Sequence, residues 1–325
     1  MRKSQKKTFM MKNAIQLLAV IILFATSCST QKSNEMELVL DSKSELGEGA
    51  LWNNKTGELI WININGEILN FYNPQLNNNK EMFTGQKIGT VVPATSGKVI
   101  VALEEGIYSL DPATGTKDLI GNPEENVEGI RFNDGKCDPQ GRFWAGTMST
   151  QGKKEAGALY RLDADSNIYK MVDKVSTSNG IVWSNDNRFM YYIDTPTQQV
   201  MRYDYENESG NISNPQVVVE VSKEMGAPDG MTIDEDGNLW IALWGGSAVG
   251  CWNPESGKLL HRIDVPAKNV TSCAFGNDNL ETLYITTARV GTSEEELKQF
   301  PKAGGLFKIK PGVKGVEASF YKDDF

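Results

Sequence analysis

At four equivalent places of a repeat an acid or amide side chain stands directly before a glycine: Glu48-Gly49, Asp134-Gly135 with Asn133 just ahead of it, Asn179-Gly180 and Asp229-Gly230. Carboxylates and side-chain amides are hard oxygen donors, suited to Ca2+ or Mg2+ with water completing the shell. Other site chemistries find little support. The one histidine, His261, lies in the strand-like run GKLLHRIDVP, which argues against Ser-His-Asp and Cys-His mechanisms. Cys137, Cys251 and Cys273 have no CxxC spacing, so a zinc-thiolate centre is not expected; they read as small core residues, with one disulfide allowed. Taken singly, each donor-glycine pair is also a turn dipeptide. Four in one register, one of them a glutamate that is no turn former, favour a site.

The register comes from a repeat. A turn-then-strand mark recurs at Gly57 (TGELIW), Gly97 (SGKVIV), Gly141 (QGRFWAG), Asn187 (DNRFMYY), Gly237 (DGNLWIA) and Glu281 (LETLYIT), in steps of 40, 44, 46, 50 and 44 residues. Each unit has room for four short strands rich in Val, Ile, Tyr and Trp, punctuated by Gly, Asn, Asp and Pro. One twisted four-stranded sheet cannot cover both its faces alone, so six such units predict an all-β, six-bladed β-propeller with a central metal-binding channel. A β-sandwich with insertions is the alternative. In a propeller the equivalent position of each blade faces the same place in space, so the donors, about eight residues upstream of their marks, converge at one end of the channel.

Further expectations follow from local pattern. Leu38 to Leu40 pairs with Ala318 to Tyr321 to close the ring. Ser293 and Glu296 form a capping box that opens a short helix through Phe300, stopped by Pro301. Trp52, Trp61, Trp144, Trp183, Trp240 and Trp252 pack between blades, whereas Trp244, before Gly245 and Gly246, stands at the pocket rim. Asp194 and Thr195 either border the pocket or form a strand-end turn. Arg131 either holds a polar substrate or pairs with an acid inside its blade.

At the N-terminus Arg2, Lys3, Lys6, Lys7 and Lys12 precede the apolar run Ala14 to Ala25, too short for a permanent span, and small residues then lead to Cys28. This resembles a bacterial lipoprotein signal, with cleavage before Cys28 and lipid on its sulfur, although Ala25 stands where leucine is usual. An ordinary secretory signal is the alternative. The resulting division is a signal peptide at 1–27, a tether at 28–36 and the propeller at 37–325, exported as a periplasmic or cell-surface lipoprotein. Removing residues 1–27 takes five cations and no acid from 33 Lys+Arg against 42 Asp+Glu, which leaves a net charge of −14. Nucleic acid is excluded as a partner, and the membrane is met only through the lipid anchor. A monomer is expected.

LGEGALW (Leu46 to Trp52), RFNDGKCDPQGRFWAGTM (Arg131 to Met148), SNGIVWS (Ser178 to Ser184), YYIDT (Tyr191 to Thr195), PDGMTIDEDGNLWIA (Pro228 to Ala242) and TSCAFGNDNLETLYITTA (Thr271 to Ala288) carry a family likeness. The chain resembles the senescence-marker-protein/gluconolactonase family, the regucalcin-like lactonases. That resemblance implies a six-bladed propeller holding one divalent cation, Ca2+ ahead of Mg2+, Zn2+ or Mn2+, and hydrolysing a lactone, a sugar lactone such as gluconolactone in the first instance. It implies Glu48, Asn179 and Asp229 as metal ligands, with Asp229 also the general base. Arg131 and Asn133 then contact substrate, as does Gln151, which stands where several sugar-lactone hydrolases have glutamate. The competing readings are a non-enzymatic ligand- or partner-binding propeller and a hydrolase of a non-sugar lactone or ester.

Overall fold

Apolar residues cluster in runs of four to eight between turn residues, and the chain meets that pattern with short strands. In a computed structural model, which describes residues 35–323, 24 strands form six four-stranded antiparallel sheets. The signal-peptide and Cys28 expectations lie outside the described residues. The innermost strands are Gly47–Asn53, Ile88–Pro93, Ile130–Cys137, Ser178–Trp183, Ala227–Ile233 and Asn269–Gly276. Each touches the next, and the sixth touches the first, so the six blades form a closed ring around a channel. This is the six-bladed propeller rather than the sandwich. Ile88–Pro93 and Ser178–Trp183 are buried at every residue, as strands covered on both faces must be, while the outer strand Asn78–Phe83 is mostly exposed.

The ring closes differently from the sequence expectation. Glu37–Leu40 pairs not with Ala318 to Tyr321 but with Leu306–Ile309, with Glu37 opposite Lys308 and Leu38 opposite Phe307. The N-terminal strand thereby supplies the outer edge of the sixth blade, whose other three strands come from the C-terminal part of the chain. Past that blade the chain leaves the sheet. The Tyr321 N–H donates to Pro93 O and the Thr95 N–H to Tyr321 O, both at 2.9 Å, while the Tyr321 hydroxyl donates to Asp163 O at 2.9 Å. The last residues therefore sew the second and third blades instead of completing the sixth.

Aromatic contacts join blades. Trp52 of the first blade stacks on Tyr284 of the sixth with centroids 6.0 Å apart, Trp144 of the third meets Trp183 of the fourth edge-on at 5.8 Å, and Trp240 of the fifth meets Phe275 of the sixth at 5.7 Å. Each such pair contributes roughly 0.5–1.5 kcal/mol beyond burial. Trp61 and Trp252 are buried as expected too. Two turns repeat one device. Asp138 accepts the Trp144 indole N–H at 3.0 Å, and Asp234 accepts that of Trp240 at 2.9 Å. Cys137, Cys251 and Cys273 are buried free thiols with no disulfide between them, and His261 is exposed on the outer strand Lys258–Asp264. The capping box forms: Ser293 Oγ accepts the Glu296 N–H, Glu296 accepts the Ser293 N–H, and the helix covers Glu294–Gln299.

Candidate functional site

The donor-glycine pairs turn out to lie inside strands rather than in turns. In all six innermost strands the pairing register shifts at the equivalent place: between Glu48 and Leu51, Ile88 and Thr90, Phe132 and Gly135, Ser178 and Ile181, Pro228 and Met231, and Val270 and Ser272. A bulge of this kind bends the strand and re-aims side chains. It is how Asn133 and Asp134, adjacent in sequence, both reach the interior. The glycines serve close approach. A Cβ on Gly180 would come within 2.8 Å of Asp229 O, and one on Gly230 within 2.8 Å of Thr271 O. Only glycine lets neighbouring innermost strands pinch together at the level of the donors.

Glu48, Asn133, Asp134, Asn179 and Asp229 are all buried there. Asn133 Nδ2 donates to Ser178 O at 2.7 Å and to Asn179 Oδ1 at 3.2 Å. Asn179 Nδ2 donates to Thr195 Oγ1 at 2.7 Å, and that hydroxyl donates to Pro228 O at 2.8 Å. Thr195 thus locks the amide of the fourth blade to the strand that carries Asp229. Glu48 and Asp229 hydrogen-bond each other. Burial first, then the Asp134 charge, pushes the Glu48 carboxyl up to about 8. Burial, then the Glu48 and Asp134 charges, drives Asp229 well above the ordinary carboxylate range. Asp134 is itself raised by burial, against the opposing Lys136 charge and the Gly135 N–H.

Two buried acids that share a hydrogen bond hold a proton where a cation is able to sit, and two amides stand beside them. This donor set fits a hard divalent ion, which would displace the proton and neutralise both carboxylates. Among the described residues no group of three His, Cys, Asp or Glu side chains is arranged to hold a metal. Any such site would draw on amide oxygens as well as carboxylates, and Asn179 and Asn133 are the amides beside the pair. Arg131 is half-buried and donates from Nη1 to Phe132 O and Asn133 Oδ1, both at 2.8 Å; among the described residues it makes no ion pair within its blade. Asp194 accepts the Ser176 and Thr177 N–H groups and is the strand-end turn. Gln151 is exposed, and its backbone N–H donates to Ser149 Oγ at 3.1 Å. No contact joins Gln151 to the buried donors. Trp244 is half-buried where strand Leu239–Trp244 ends, beside Gly291.

Residues 46–289 match the family model described as SMP-30/Gluconolactonase/LRE-like region. The chain belongs to this family. Among similar sequences, the Bacillus subtilis protein named "Putative sugar lactone lactonase YvrE" is 43% identical over 87% of this chain and 97% of its own length. The Danio rerio protein named regucalcin is 37% identical over 89% and 99%. Among solved structures, a luciferin-regenerating enzyme superposes with a TM-score of 0.84 at 30% identity over 89% of this chain and 99% of its own. An Agrobacterium tumefaciens regucalcin, described as a calcium-binding protein, also gives 0.84, at 26% identity over 87% and 96%. Of the two alternatives for Thr195, the structure gives the pocket border, and its hydroxyl bridge depends on two blades meeting, which no local pattern records.

Proposed function

We propose that the chain is a divalent-metal-dependent hydrolase that opens a lactone, with a sugar lactone as the leading substrate class. The observation that carries this reading is the buried, mutually hydrogen-bonded pair Glu48 and Asp229 beside Asn179 and Asn133 at one end of the channel. Relatives named for sugar lactone lactonase and regucalcin support it. Glu48, Asn179 and Asp229 would hold the ion, Ca2+ first, which supplies Lewis acidity toward a substrate carbonyl.

The chain's own residues do the rest. Arg131 spends one nitrogen on Phe132 O and Asn133, so its remaining N–H groups are free to fix a substrate oxygen at the mouth. Asn133, held by Arg131, Ser178 O and Asn179, presents a rigid amide edge. Asp229, ionised when a cation replaces the shared proton, takes a proton from the attacking water and passes it to the departing ring oxygen. Water adds at the carbonyl carbon, the ring C–O bond breaks, and a hydroxycarboxylic acid leaves. Exposed Gln151 meets only the outer part of a substrate.

The test is proton release across a panel of sugar and non-sugar lactones and simple esters, with and without chelator, beside Asp229→Ala. Metal-dependent turnover that falls roughly 10²–10⁴-fold in the variant is expected. No turnover by metal-loaded protein would leave a non-enzymatic binding propeller. Unchanged turnover in the variant would remove Asp229 from the reaction. We also propose export and lipidation at Cys28; Cys28→Ser should release the protein from the membrane fraction.

A further inference from the structure

The channel has a second end, and its chemistry is the reverse of the first. From Glu48 to Trp52 the innermost strand of the first blade runs four residues further, roughly 13 Å. There the ends of five innermost strands and residues 316–319 of the C-terminal segment enclose a cavity of about 280 Å³. Its walls mix apolar side chains, Trp52, Trp183, Ile233 and Phe275 among them, with the polar Ser184, Thr232 and Ser319. Two of the polar groups at its edge are already engaged. Asn185 Nδ2 donates to Asp234 O and Glu235 O, both at 3.0 Å, and Glu317 accepts from Asn54 at 2.8 Å.

Lys136 is the cation of the lining. It lies on the innermost strand of the third blade, and its ammonium crosses to the fifth to donate to Met231 O. An ammonium has three N–H donors. Among the described residues Lys136 has this one acceptor and no ion pair. It is half-buried, and burial disfavours its charge while Asp134 favours it. A partly desolvated cation with two unused donors is suited to meet an anion.

We propose that this cavity is a second binding site, for a small carboxylate with an apolar body, its headgroup on Lys136 and its body against Trp52, Trp183 and Phe275. The three rings give an apolar body its contact surface, and taking that body out of water is favourable. The site is separate from the lactonase centre. The acids Glu48 and Asp229 repel a carboxylate at the other end, whereas Lys136 attracts one here.

The test uses octanoate, titrated into the metal-free full-length protein and followed by tryptophan fluorescence and by heat, with methyl octanoate as the uncharged control. Saturable octanoate binding is expected, weakened at least about tenfold by Lys136→Met, as truncating one side of a desolvated charge pair does. Ala274→Leu fills the cavity while keeping the charge and should abolish binding; it guards against Lys136→Met acting through misfolding, which circular dichroism checks in both variants. The proposal is overturned by the absence of millimolar binding, by methyl octanoate binding as tightly, or by octanoate binding equally to both folded variants.

Discussion

Two sets of buried acids, one at the channel and one in the blade turns, look alike in the sequence and differ in what surrounds them. Asp138 accepts four hydrogen bonds, from the Gln140 and Arg142 N–H groups, Arg142 Nε and Trp144 Nε1, at 2.6 to 3.0 Å. Asp234 likewise accepts from the Asp236 and Asn238 N–H groups, Asn238 Nδ2 and Trp240 Nε1, at 2.8 to 3.2 Å. Glu48 has the Gly49 N–H at 3.2 Å, Asp229 has that of Gly230, and otherwise they face each other. A buried carboxylate with a full set of donors is scaffold. One that faces another carboxylate has a demand the protein does not meet, which is the demand the proposed divalent cation would fill.

The largest expected contrast lies between Asp229 and Asp138. Asp229→Ala should lower lactone turnover roughly 10²–10⁴-fold. It should leave the metal-free melting temperature little changed, because losing the hydrogen bond to Glu48 is offset by removing a carboxyl whose burial is unfavourable. Asp138→Ala should do the opposite. It strands the largely buried Arg142 and costs about 3–5 kcal/mol in denaturant unfolding, with turnover per folded molecule retained. A fold broken by Asp229→Ala would erase the distinction.

Next comes pH. The Glu48 carboxyl lies at about 8 in the fold against 4.5 as the reference. Its contribution to stability is therefore complete below the reference value and is lost as pH rises through about 8. Metal-free protein should lose stability across that window, by at most about 1.4 kcal/mol per pH unit for this group. Calcium should flatten the loss, because it replaces the proton. Melting curves from pH 5 to 8 with chelator or Ca2+ read this directly, and a metal-free curve that rises with pH would contradict it.

Smaller effects sharpen the same contrast at its edges. Thr195→Val removes the hydroxyl between Asn179 and Pro228 O. It should weaken calcium binding by roughly 10–100-fold, as loss of a residue that orients a ligand does, while costing only about 1 kcal/mol of stability. Calorimetric titration separates the two.

Much of this was legible in the sequence, for a physical reason. The six strand marks are local patterns, each written within a few residues, and a repeat carries local information round the ring. The donor-glycine pairs were legible as a set because equivalent positions in equivalent blades converge. What their glycines do was not legible, since close approach of Gly180 to Asp229 and of Gly230 to Thr271 appears only when blades pack. Ring closure was misassigned for the same reason. Leu38 faces Phe307 across nearly the whole chain, and either C-terminal run could have supplied that partner by pattern alone. Thr195 and Lys136 act across blades, and nothing within a single unit marks them.

The most direct test is a crystal of the protein soaked with Mn2+, whose anomalous scattering locates the ion. The expected result is one strong peak at the channel, with oxygen atoms of Glu48, Asn179 and Asp229 within coordinating distance and the Glu48–Asp229 hydrogen bond opened. A fully soaked crystal with no peak there, and the two carboxyls still bonded to each other, would contradict the metal centre and the hydrolysis built on it.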